Sequence, residues 1–325
     1  MVRAPRRRLL LCASRPSLGA LGELVQAWRD AAVDVEIETF DSKAPDLVAL
    51  VAGADRRLDA ALLVGSARRA PATVLPAPFA AGRDGKRVPI AWMPARDTAS
   101  LRRFAATAAR VQNRACARSA LALLGQWLPR YLHVTQRLCQ LADDGRVRAF
   151  RWTGDAMTRD SMISALGCGI GLGLYVGHGR SMGWVGYHGV RAHHFDDAGA
   201  RCGVDVVGAS APMREPMGAI LSLCCRTASR RRVALSYAEA IPLSGVAAAS
   251  FGAVGDTLYS DNTRWAVGVC DALAQGASTV GELLVHAAPA SQSALASYRL
   301  IGDPLAPLGC SEQALRRAQH VRTYE

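Results

Sequence analysis

A histidine and two adjacent cysteines follow two apolar runs in the second half of the sequence. The run "GIGLGLYVGHG" places His178 between two glycines, and the run "AILSLCCRTAS" contains Cys224 and Cys225. A cysteine thiolate is a strong nucleophile, and a neighbouring histidine can take the thiol proton and pass it to a leaving amine. These residue types, in this order, predict cleavage of an amide bond through a thioester.

The two cysteines are alternative nucleophiles. Successive residues of a strand point to opposite faces, so only one of the two sulfurs can face His178. Gly179 directly follows His178, and a glycine there lets a substrate approach closely and leaves its backbone N–H free to point at an oxyanion. We predict the backbone N–H groups of Gly179 and Cys225 as the oxyanion hole.

Apolar runs alternate with segments of helical periodicity along most of the chain. Strands are predicted at "RLLLCAS", "DAALLVG" and "RVPIAWMP", and later at "GIGLGLYVGHG", "GAILSLCC" and "GVAAASFGAVGD". This alternation predicts an α/β fold with a mostly parallel sheet covered by helices on both faces. Catalytic groups of such sheets collect at the carboxyl ends of strands, which is where His178 and the cysteines stand.

The pattern also predicts how the chain is divided. Residues 1–115 are expected to form a non-catalytic α/β unit, residues 116–310 a catalytic unit, and residues 311–325 a polar, frayed tail. The arginine-rich start is followed by an apolar stretch that is short for a signal peptide, so we interpret it as the first strand.

Composition disfavours several classes of protein. The 325 residues include 39 Lys+Arg and 27 Asp+Glu, a net charge of +12, but the arginines are scattered and aromatic residues are sparse. Nucleic-acid binding is therefore unlikely on charge alone. No apolar run reaches the length that spans a bilayer, so no membrane association is expected. Nine cysteines, several of them in apolar runs, indicate reduced thiols and a cytoplasmic protein.

One segment resembles a metal site only at first sight. It contains His188, His193, His194 and Cys202. Their spacing fits no standard zinc site, so we predict neither a metal nor another cofactor.

The histidine and cysteine segments resemble the motifs of clan CD cysteine peptidases, which include the caspases, the CHAT-type proteases and the gingipains. "YVGHG" is similar to the clan's histidine motif, and "CCRT" is similar to the A-C-R-G of caspases. The second similarity implies that Cys225 is the nucleophile, with Cys224 as the alternative. Ala228 departs from the pattern, because glycine is common at that place.

The resemblance to gingipain-type peptidases covers almost the whole chain. It rests on "DAALLVGSARRAPATVLP", "RVPIAWMPARDTASLRRFAATAARV", "GHGRSMGW" and "YRLIGDPLAPL". The resemblance implies two caspase-like subdomains side by side, of which the first lacks catalytic residues. "AWMPA" departs from the family's usual Gly-Arg, and no secretion signal, pro-segment or adhesion domain is seen, so an intracellular prokaryotic caspase-like protease fits better than a secreted one.

Peptidases of this clan select the P1 residue of the substrate by a charged or polar group in the pocket. Asp155 and Asp256 both follow predicted strand ends, so either could receive a basic P1 side chain; each could instead be an N-cap or turn residue. Trp184, shortly after the histidine motif, is predicted to be a substrate-binding or packing residue.

The arginines Arg230–Arg232 are predicted to lie in an exposed loop directly after the cysteine motif. By analogy with caspases, an upstream protease that cuts this loop would activate a zymogen.

The predicted function is therefore a cysteine endopeptidase that acts on protein or peptide substrates in an intracellular regulatory or defence pathway. Two alternatives stay open: a catalytically silent caspase-like scaffold or regulator, and a basic nucleic-acid-binding α/β protein.

Overall fold

The fold is built on one large, mostly parallel sheet. The computed structural model describes residues 6–41, 43–142, 147–195 and 215–321. The strands of this part of the chain are β1 Arg8–Ala13, β2 Asp34–Thr39, β3 Ala60–Ser66, β4 Phe79–Ala81, β5 Arg87–Ala95, β6 Arg118–Gly125, β7 Val147–Thr153, β8 Leu172–Val176, β9 Gly179–Arg180, β10 Gly183–Trp184, β11 Val190–Arg191, β12 Met217–Leu223, β13 Ala247–Ala253, β14 Tyr298–Gly302 and β15 Gly309–Cys310.

Helices connect most of these strands. They are α1 Arg15–Ala20, α2 Gly22–Asp30, α3 Leu47–Gly53, α4 Pro71–Val74, α5 Thr98–Asn113, α6 Pro129–Ala142, α7 Arg159–Leu166, α8 Tyr237–Ser244, α9 Tyr259–Ala274, α10 Val280–Ala287, α11 Gln292–Ala296 and α12 Glu312–Gln319.

Twelve strands form one sheet in the order β15-β6-β8-β12-β13-β14-β5-β3-β1-β2, with β4 paired to β5 and β7 paired to β6. The pairs β1/β2, β1/β3, β3/β5, β6/β7, β6/β8, β8/β12, β12/β13 and β5/β14 are parallel. The predicted α/β class with a mostly parallel sheet is confirmed. Strand β14 pairs with β13 on one side and with β5 on the other, so the strands of the two predicted units join edge to edge.

Both faces of the sheet are buried under helices, which explains why its strands are apolar along their whole length. One face packs against α2, α5, α6, α9 and α10 through residues such as Trp28, Phe104, Leu138, Trp265 and Leu283. The opposite face packs against α7, α8 and α12 in the second half of the chain, and against α3 and α8 in the first half.

A buried carboxylate links the two halves of the chain. Asp303 follows β14 in the "GDP" segment and accepts hydrogen bonds from Trp28 Nε1 at 3.2 Å and Gln112 Nε2 at 2.7 Å. It also accepts one from the Leu305 backbone N–H at 2.9 Å. Burial raises the pKa of Asp303 to about 6. The segment that sequence similarity singled out thus ties the end of β14 to α2 and α5.

The expectation of a frayed tail after residue 310 is corrected for residues 311–319. Ser311 caps α12 by accepting a hydrogen bond from the Ala314 N–H, and Ala314, Leu315 and Ala318 are buried. The segment forms a helix because its apolar residues are spaced along one helix face, although its overall composition is polar. Residues 322–325 lie outside the described part.

Two further findings concern the described residues only. No helix there is both long and apolar enough to cross a membrane. None of the cysteines there forms a disulfide.

Candidate active site

Three neighbouring strands end at the same level of the sheet. Val176 at the end of β8 is in register with Gly125 at the end of β6 and with Leu223 at the end of β12. The residues that follow these strands, Gln126, His178 and the cysteine pair, must therefore emerge together at one edge. The predicted convergence of His178 and the cysteines at strand ends follows from this register.

Gly179 brings the histidine segment into direct contact with the cysteine segment. A Cβ placed on Gly179 would lie 2.5 Å from Cys224 Sγ and 2.6 Å from the Cys225 carbonyl oxygen. Real Cβ atoms do not approach other atoms so closely, so only glycine fits at this position. The backbone next to His178 therefore rests against the backbone of the cysteine pair.

The two cysteines differ in environment. Cys224 is fully buried, and burial raises the pKa of its thiol well above the usual value. Its sulfur lies in an apolar cluster with the rings of Tyr175, Trp184 and Tyr237. A buried neutral thiol of this kind is inert towards a substrate in solution.

Cys225 is half-buried, and its sulfur faces the residues that follow β13. The Thr257 backbone N–H donates a hydrogen bond to Cys225 Sγ at 3.4 Å, and the Thr257 hydroxyl lies 3.5 Å from the same sulfur. This environment suits a nucleophile better than that of Cys224.

The turn after Cys225 has an unusual backbone. Arg226 adopts a left-handed conformation with φ 61°, which is uncommon for a residue with a side chain and is typical of functional turns. Its N–H donates to the Gly255 carbonyl at 2.9 Å, and its guanidinium pairs with Asp256. These contacts fix the turn that carries Cys225.

Two backbone N–H groups beside the candidate nucleophile have no partner among the described residues. The Cys225 N–H, which lies outside any strand, makes no hydrogen bond there. In the β9–β10 hairpin, the Val185 N–H bonds to the His178 carbonyl, so the next pair, Gly179 and Trp184, is of the non-hydrogen-bonded kind. The Gly179 N–H therefore points out of the hairpin ladder. Both N–H groups therefore lie next to the candidate pair, and their role as oxyanion donors stays a prediction.

His178 is exposed, and its backbone is held from two sides. Its N–H donates to Gln126 Oε1 at 3.0 Å, and its carbonyl accepts from the Tyr175 hydroxyl at 2.9 Å. The imidazole contacts helix α6, where Arg130 Nη2 lies 2.6 Å and the Tyr131 hydroxyl 3.3 Å from His178 Nε2. Burial of the ring and the positive charge of Arg130 lower the pKa of His178.

The structure does not join His178 to a cysteine sulfur by a hydrogen bond within the described residues. Without substrate, catalytic hydrogen bonds are often long or unmade and form only in the complex. In this state, Cys225 contacts Thr257, and His178 contacts Arg130 and Tyr131.

Both acidic residues predicted for a basic P1 side chain are paired with arginines. Asp155 accepts a hydrogen bond from Arg151 at 2.7 Å and another from the Thr153 hydroxyl. Asp256 pairs with Arg226. Each carboxylate already has a cation of this chain as its partner.

Trp184 is a packing residue, so of the two predicted roles the structure favours packing over substrate binding. It is 2% exposed, its ring stacks on Tyr175 at a centroid distance of 4.4 Å, and its Nε1 donates to Ser222 Oγ at 2.9 Å. A side chain enclosed in this way cannot touch a substrate.

The prediction that Arg230–Arg232 lie in an exposed loop is wrong for Arg230. Its Nε donates to the buried Glu239 carboxylate at 2.8 Å, and its Nη1 bonds to the Ala67 carbonyl. Arg231 and Arg232 are exposed as predicted.

Several exposed apolar side chains follow strands β6, β9 and β13, and sequence reasoning missed them. Trp127 follows β6, Met182 follows β9, and Leu258 and Tyr259 follow β13. Trp127 and Leu258 are 58% and 66% exposed, which is unusual for side chains of this size. Sequence reasoning also missed Gln126, Arg130 and Tyr131. They follow β6, which was expected to be a helix around Ser119–Leu128 and is instead a strand.

The described residues contain no group of His, Cys, Asp and Glu side chains that could hold a metal ion. His193 and His194 contact each other, and His194 Nδ1 accepts a hydrogen bond from the Arg191 N–H. Cys202, considered with them, lies outside the described part.

Solved structures with a similar fold include a protease. One described as "Structure of Protease" aligns with 93% of this chain and 78% of its own, with a TM-score of 0.65 and 13% sequence identity. A chain of the Saccharomyces cerevisiae separase–securin complex aligns with 76% of this chain but only 15% of its own, with a TM-score of 0.49 and 14% identity. No protein-family model and no curated protein sequence matches the chain. The fold of this chain is thus the α/β fold of a solved protease, and at 13% identity the likeness concerns the fold alone.

Proposed function

We propose that the chain is a cysteine endopeptidase of the caspase-like class, with Cys225 as the nucleophile and His178 as the acid–base. The contact of Gly179 with both cysteines supports this proposal most strongly, because it puts the histidine segment beside the backbone carbonyl of Cys225. The resemblance of "YVGHG" and "CCRT" to clan CD motifs and the shared protease fold support it independently.

The proposed reaction has two steps. The Cys225 thiolate attacks the carbonyl carbon of the scissile peptide bond, and a proton held by His178 passes to the leaving amine as the C–N bond breaks. Water then gives one proton to His178 while its oxygen attacks the thioester carbonyl; the C–S bond breaks, the carboxylic acid leaves, and the Cys225 thiolate and protonated His178 are restored. Proton transfer of this kind contributes ~10²–10⁴-fold to the rate.

The oxyanion formed in each step would accept hydrogen bonds from the N–H groups of Gly179 and Cys225. Each such donor contributes ~10²–10³-fold when it is aimed at the developing charge. Both groups lack another partner in the described part of the chain.

The proposed substrates are proteins or peptides. Among the exposed apolar side chains, Tyr259 contacts the ring of Tyr131, which in turn contacts His178, so Tyr259 offers an apolar side chain on which an extended peptide could pack. Specificity for a basic P1 residue, predicted from Asp155 and Asp256, stays a prediction, although both acids are paired with arginines.

Activation by an upstream protease also stays a prediction, and the cut is best placed at Arg231 or Arg232. Arg230 is held by Glu239, whereas the two following arginines are accessible. Substitution of Arg231 and Arg232 by alanine, with Arg230 kept, should block the gain of activity without unfolding the protein.

A catalytically silent scaffold with the same fold is the second candidate. The observation that favours it is the contact of His178 with Arg130 rather than with a cysteine sulfur.

A cleavage profile of a proteome-derived peptide library, measured by sequencing the new N-termini, separates the two candidates. The proposed peptidase gives new N-termini that are absent with the Cys225→Ala variant. Identical profiles for the two proteins would leave only the scaffold.

A further inference from the structure

A single residue, Thr257, supplies the hydrogen-bond contacts of the Cys225 sulfur. The Thr257 backbone N–H donates to Cys225 Sγ at 3.4 Å, its hydroxyl oxygen lies 3.5 Å from the sulfur, and its carbonyl oxygen lies 3.9 Å away. Sulfur is larger than oxygen, so its hydrogen bonds are longer. Within the described part of the chain, no other residue makes a hydrogen bond to this sulfur. The candidate nucleophile is therefore held by Thr257 and not by His178.

These contacts determine where the thiol proton can point. A neutral thiol has one S–H, which is a weak donor, and its sulfur is a weak acceptor. A backbone N–H can only donate, so the Thr257 N–H takes up the accepting capacity of the sulfur. The S–H then has the hydroxyl and carbonyl oxygens of Thr257 as acceptors, and the hydroxyl oxygen is the nearer. The proton thus points at Thr257, whereas the proposed reaction needs it at His178.

Thr257 is also held against the cysteine turn through its neighbours. It lies between the end of β13 and the start of α9, directly after Gly255 and Asp256. The Arg226 N–H donates to the Gly255 carbonyl at 2.9 Å, and the Arg226 side chain pairs with Asp256. Two ties that do not involve the sulfur therefore keep Thr257 beside Cys225.

The imidazole of His178 has different partners in the same state. Its Nε2 faces helix α6, where the Tyr131 hydroxyl lies 3.3 Å away. The Tyr131 ring in turn contacts the ring of Tyr259, two residues after Thr257, at a centroid distance of 6.1 Å. The histidine and the thiol of the proposed pair are thus each bonded to another residue, and the thiol must leave Thr257 before it can reach His178.

We propose that Thr257 is a positioning residue that holds the Cys225 thiol in a resting position, with its proton directed away from His178. This proposal rests on the proposed function and adds a resting state to it. Release breaks the contact with the Thr257 hydroxyl and turns the Cys225 side chain towards His178. The thiol proton then passes to His178, which gives the thiolate and the imidazolium. Because the contact stabilises the free protein, the binding energy of a substrate must overcome it.

Alkylation by iodoacetamide tests this role without a substrate. The Cys225 sulfur displaces iodide, its proton passes to His178, and tandem mass spectrometry of the digested protein measures the rate at Cys225. Thr257→Val removes the hydroxyl and keeps the backbone N–H, whereas Thr257→Ser keeps both. We expect Thr257→Val to react about 3–10-fold faster than the wild type, the factor that corresponds to the loss of one hydrogen bond. Thr257→Ser should restore the rate of the wild type.

Two controls separate this role from a general loosening of the structure. Thr263 in α9 is half-buried like Thr257, but its hydroxyl donates within its own helix, to the Tyr259 carbonyl at 3.0 Å. Thr263→Val should therefore leave the alkylation rate unchanged. In a His178→Ala background, Thr257→Val should bring no gain, because the released thiol then has no imidazole to take its proton.

Steady-state kinetics on a cleaved peptide provide a second readout. The contact with Thr257 stabilises the free protein and not the complex. Thr257→Val should therefore lower KM by about 3–10-fold and leave kcat within about twofold of the wild type. A merely structural role of Thr257 would instead lower kcat together with the thermal stability.

The outcomes distinguish this inference from the proposed function. If the wild type cleaves peptides while Thr257→Val is alkylated no faster, or gains as much without His178, then Thr257 does not hold the thiol and the peptidase stands. If Thr257→Val shows the expected gain but neither protein cleaves any peptide, the proposed function is wrong and the resting position remains. Absence of both alkylation at Cys225 and cleavage in the two proteins would contradict both.

Discussion

Arg230, in the loop after the cysteine pair, forms an ion pair with Glu239 in the first turn of α8. The Glu239 carboxylate is fully buried, and it also accepts hydrogen bonds from Trp92 Nε1 and from the backbone N–H and hydroxyl of Ser236. Trp92 belongs to β5 in the first half of the chain. This ion pair therefore anchors the loop next to the candidate nucleophile to the other half of the molecule.

Removal of Arg230 should destabilise the protein strongly. The Arg230→Ala substitution leaves the buried Glu239 carboxylate without its counter-ion, which typically costs about 3–5 kcal/mol. Urea unfolding measures the loss. Arg231→Ala, a change in the exposed neighbour, should stay within about 0.5 kcal/mol of the wild type.

A second substitution checks the cause. Replacement of Glu239 by glutamine removes the uncompensated charge, so Arg230→Ala combined with Glu239→Gln should recover part of the stability. Equal effects of Arg230→Ala and Arg231→Ala would show that the ion pair is not a structural anchor.

A methyl group on Gly179 should damage the site. In Gly179→Ala the new Cβ would overlap Cys224 Sγ and the Cys225 carbonyl, so the two segments must move apart. We expect a loss of about 1–3 kcal/mol in stability and about a 10²-fold loss of kcat/KM, because catalytic groups tolerate little displacement. Peptide hydrolysis and thermal unfolding measure both effects.

Gly22→Ala is the matched control for this change. Gly22 lies in α2, and a Cβ there would meet no atom within 4 Å. Its activity and stability should equal or exceed those of the wild type. An active Gly179→Ala variant would contradict the close approach of the histidine and cysteine segments.

The stability of the protein should depend on pH through Asp303. Its pKa is raised to about 6 in the folded protein, against about 3.9 in the unfolded chain, because the carboxyl group is buried. The stabilisation by the protonated form is fully present below about pH 4 and is lost as the pH rises to about 6. Asp303→Asn does not titrate, so its free energy of unfolding relative to the wild type should increase over this range by about 2–3 kcal/mol.

Urea unfolding of both proteins at several pH values between 4 and 7 measures this difference. The other titrating groups contribute equally to the free energy of unfolding of both proteins, so their contributions cancel. The informative result is whether this difference in the free energy of unfolding increases or decreases with pH. A difference that is independent of pH, or that decreases towards pH 6, would mean that Asp303 does not retain a raised pKa in the folded protein.

Much of the fold was predictable because its strands are local patterns. Apolar runs such as "DAALLVG" predict buried strands wherever they lie in the sheet, and the alternation with helices predicts parallel pairing. His178 and the cysteine pair could be placed at strand ends for the same reason. The order of the strands was not predictable, because it depends on contacts between distant parts of the chain.

The parts that sequence reasoning missed depend on that order. Arg130 contacts His178 because β6 pairs with β8, although the two residues belong to separate segments. Trp184 was predicted to bind substrate or to pack in the core, and Arg230 was expected in an exposed loop, because the residues next to them in the sequence are polar or small. Each is instead enclosed by partners from elsewhere, the ring of Tyr175 and the carboxylate of Glu239.

The most direct test of the central claim is the site at which a peptidyl chloromethylketone labels the protein. Mass spectrometry of digested wild type, Cys224→Ala, Cys225→Ala and His178→Ala identifies the modified residue and its rate of modification. We predict labelling of Cys225 alone, retained in Cys224→Ala, abolished in Cys225→Ala and slowed by at least about 10²-fold in His178→Ala. Labelling of Cys224, or labelling of Cys225 at the same rate with and without His178, would contradict the proposed catalytic pair.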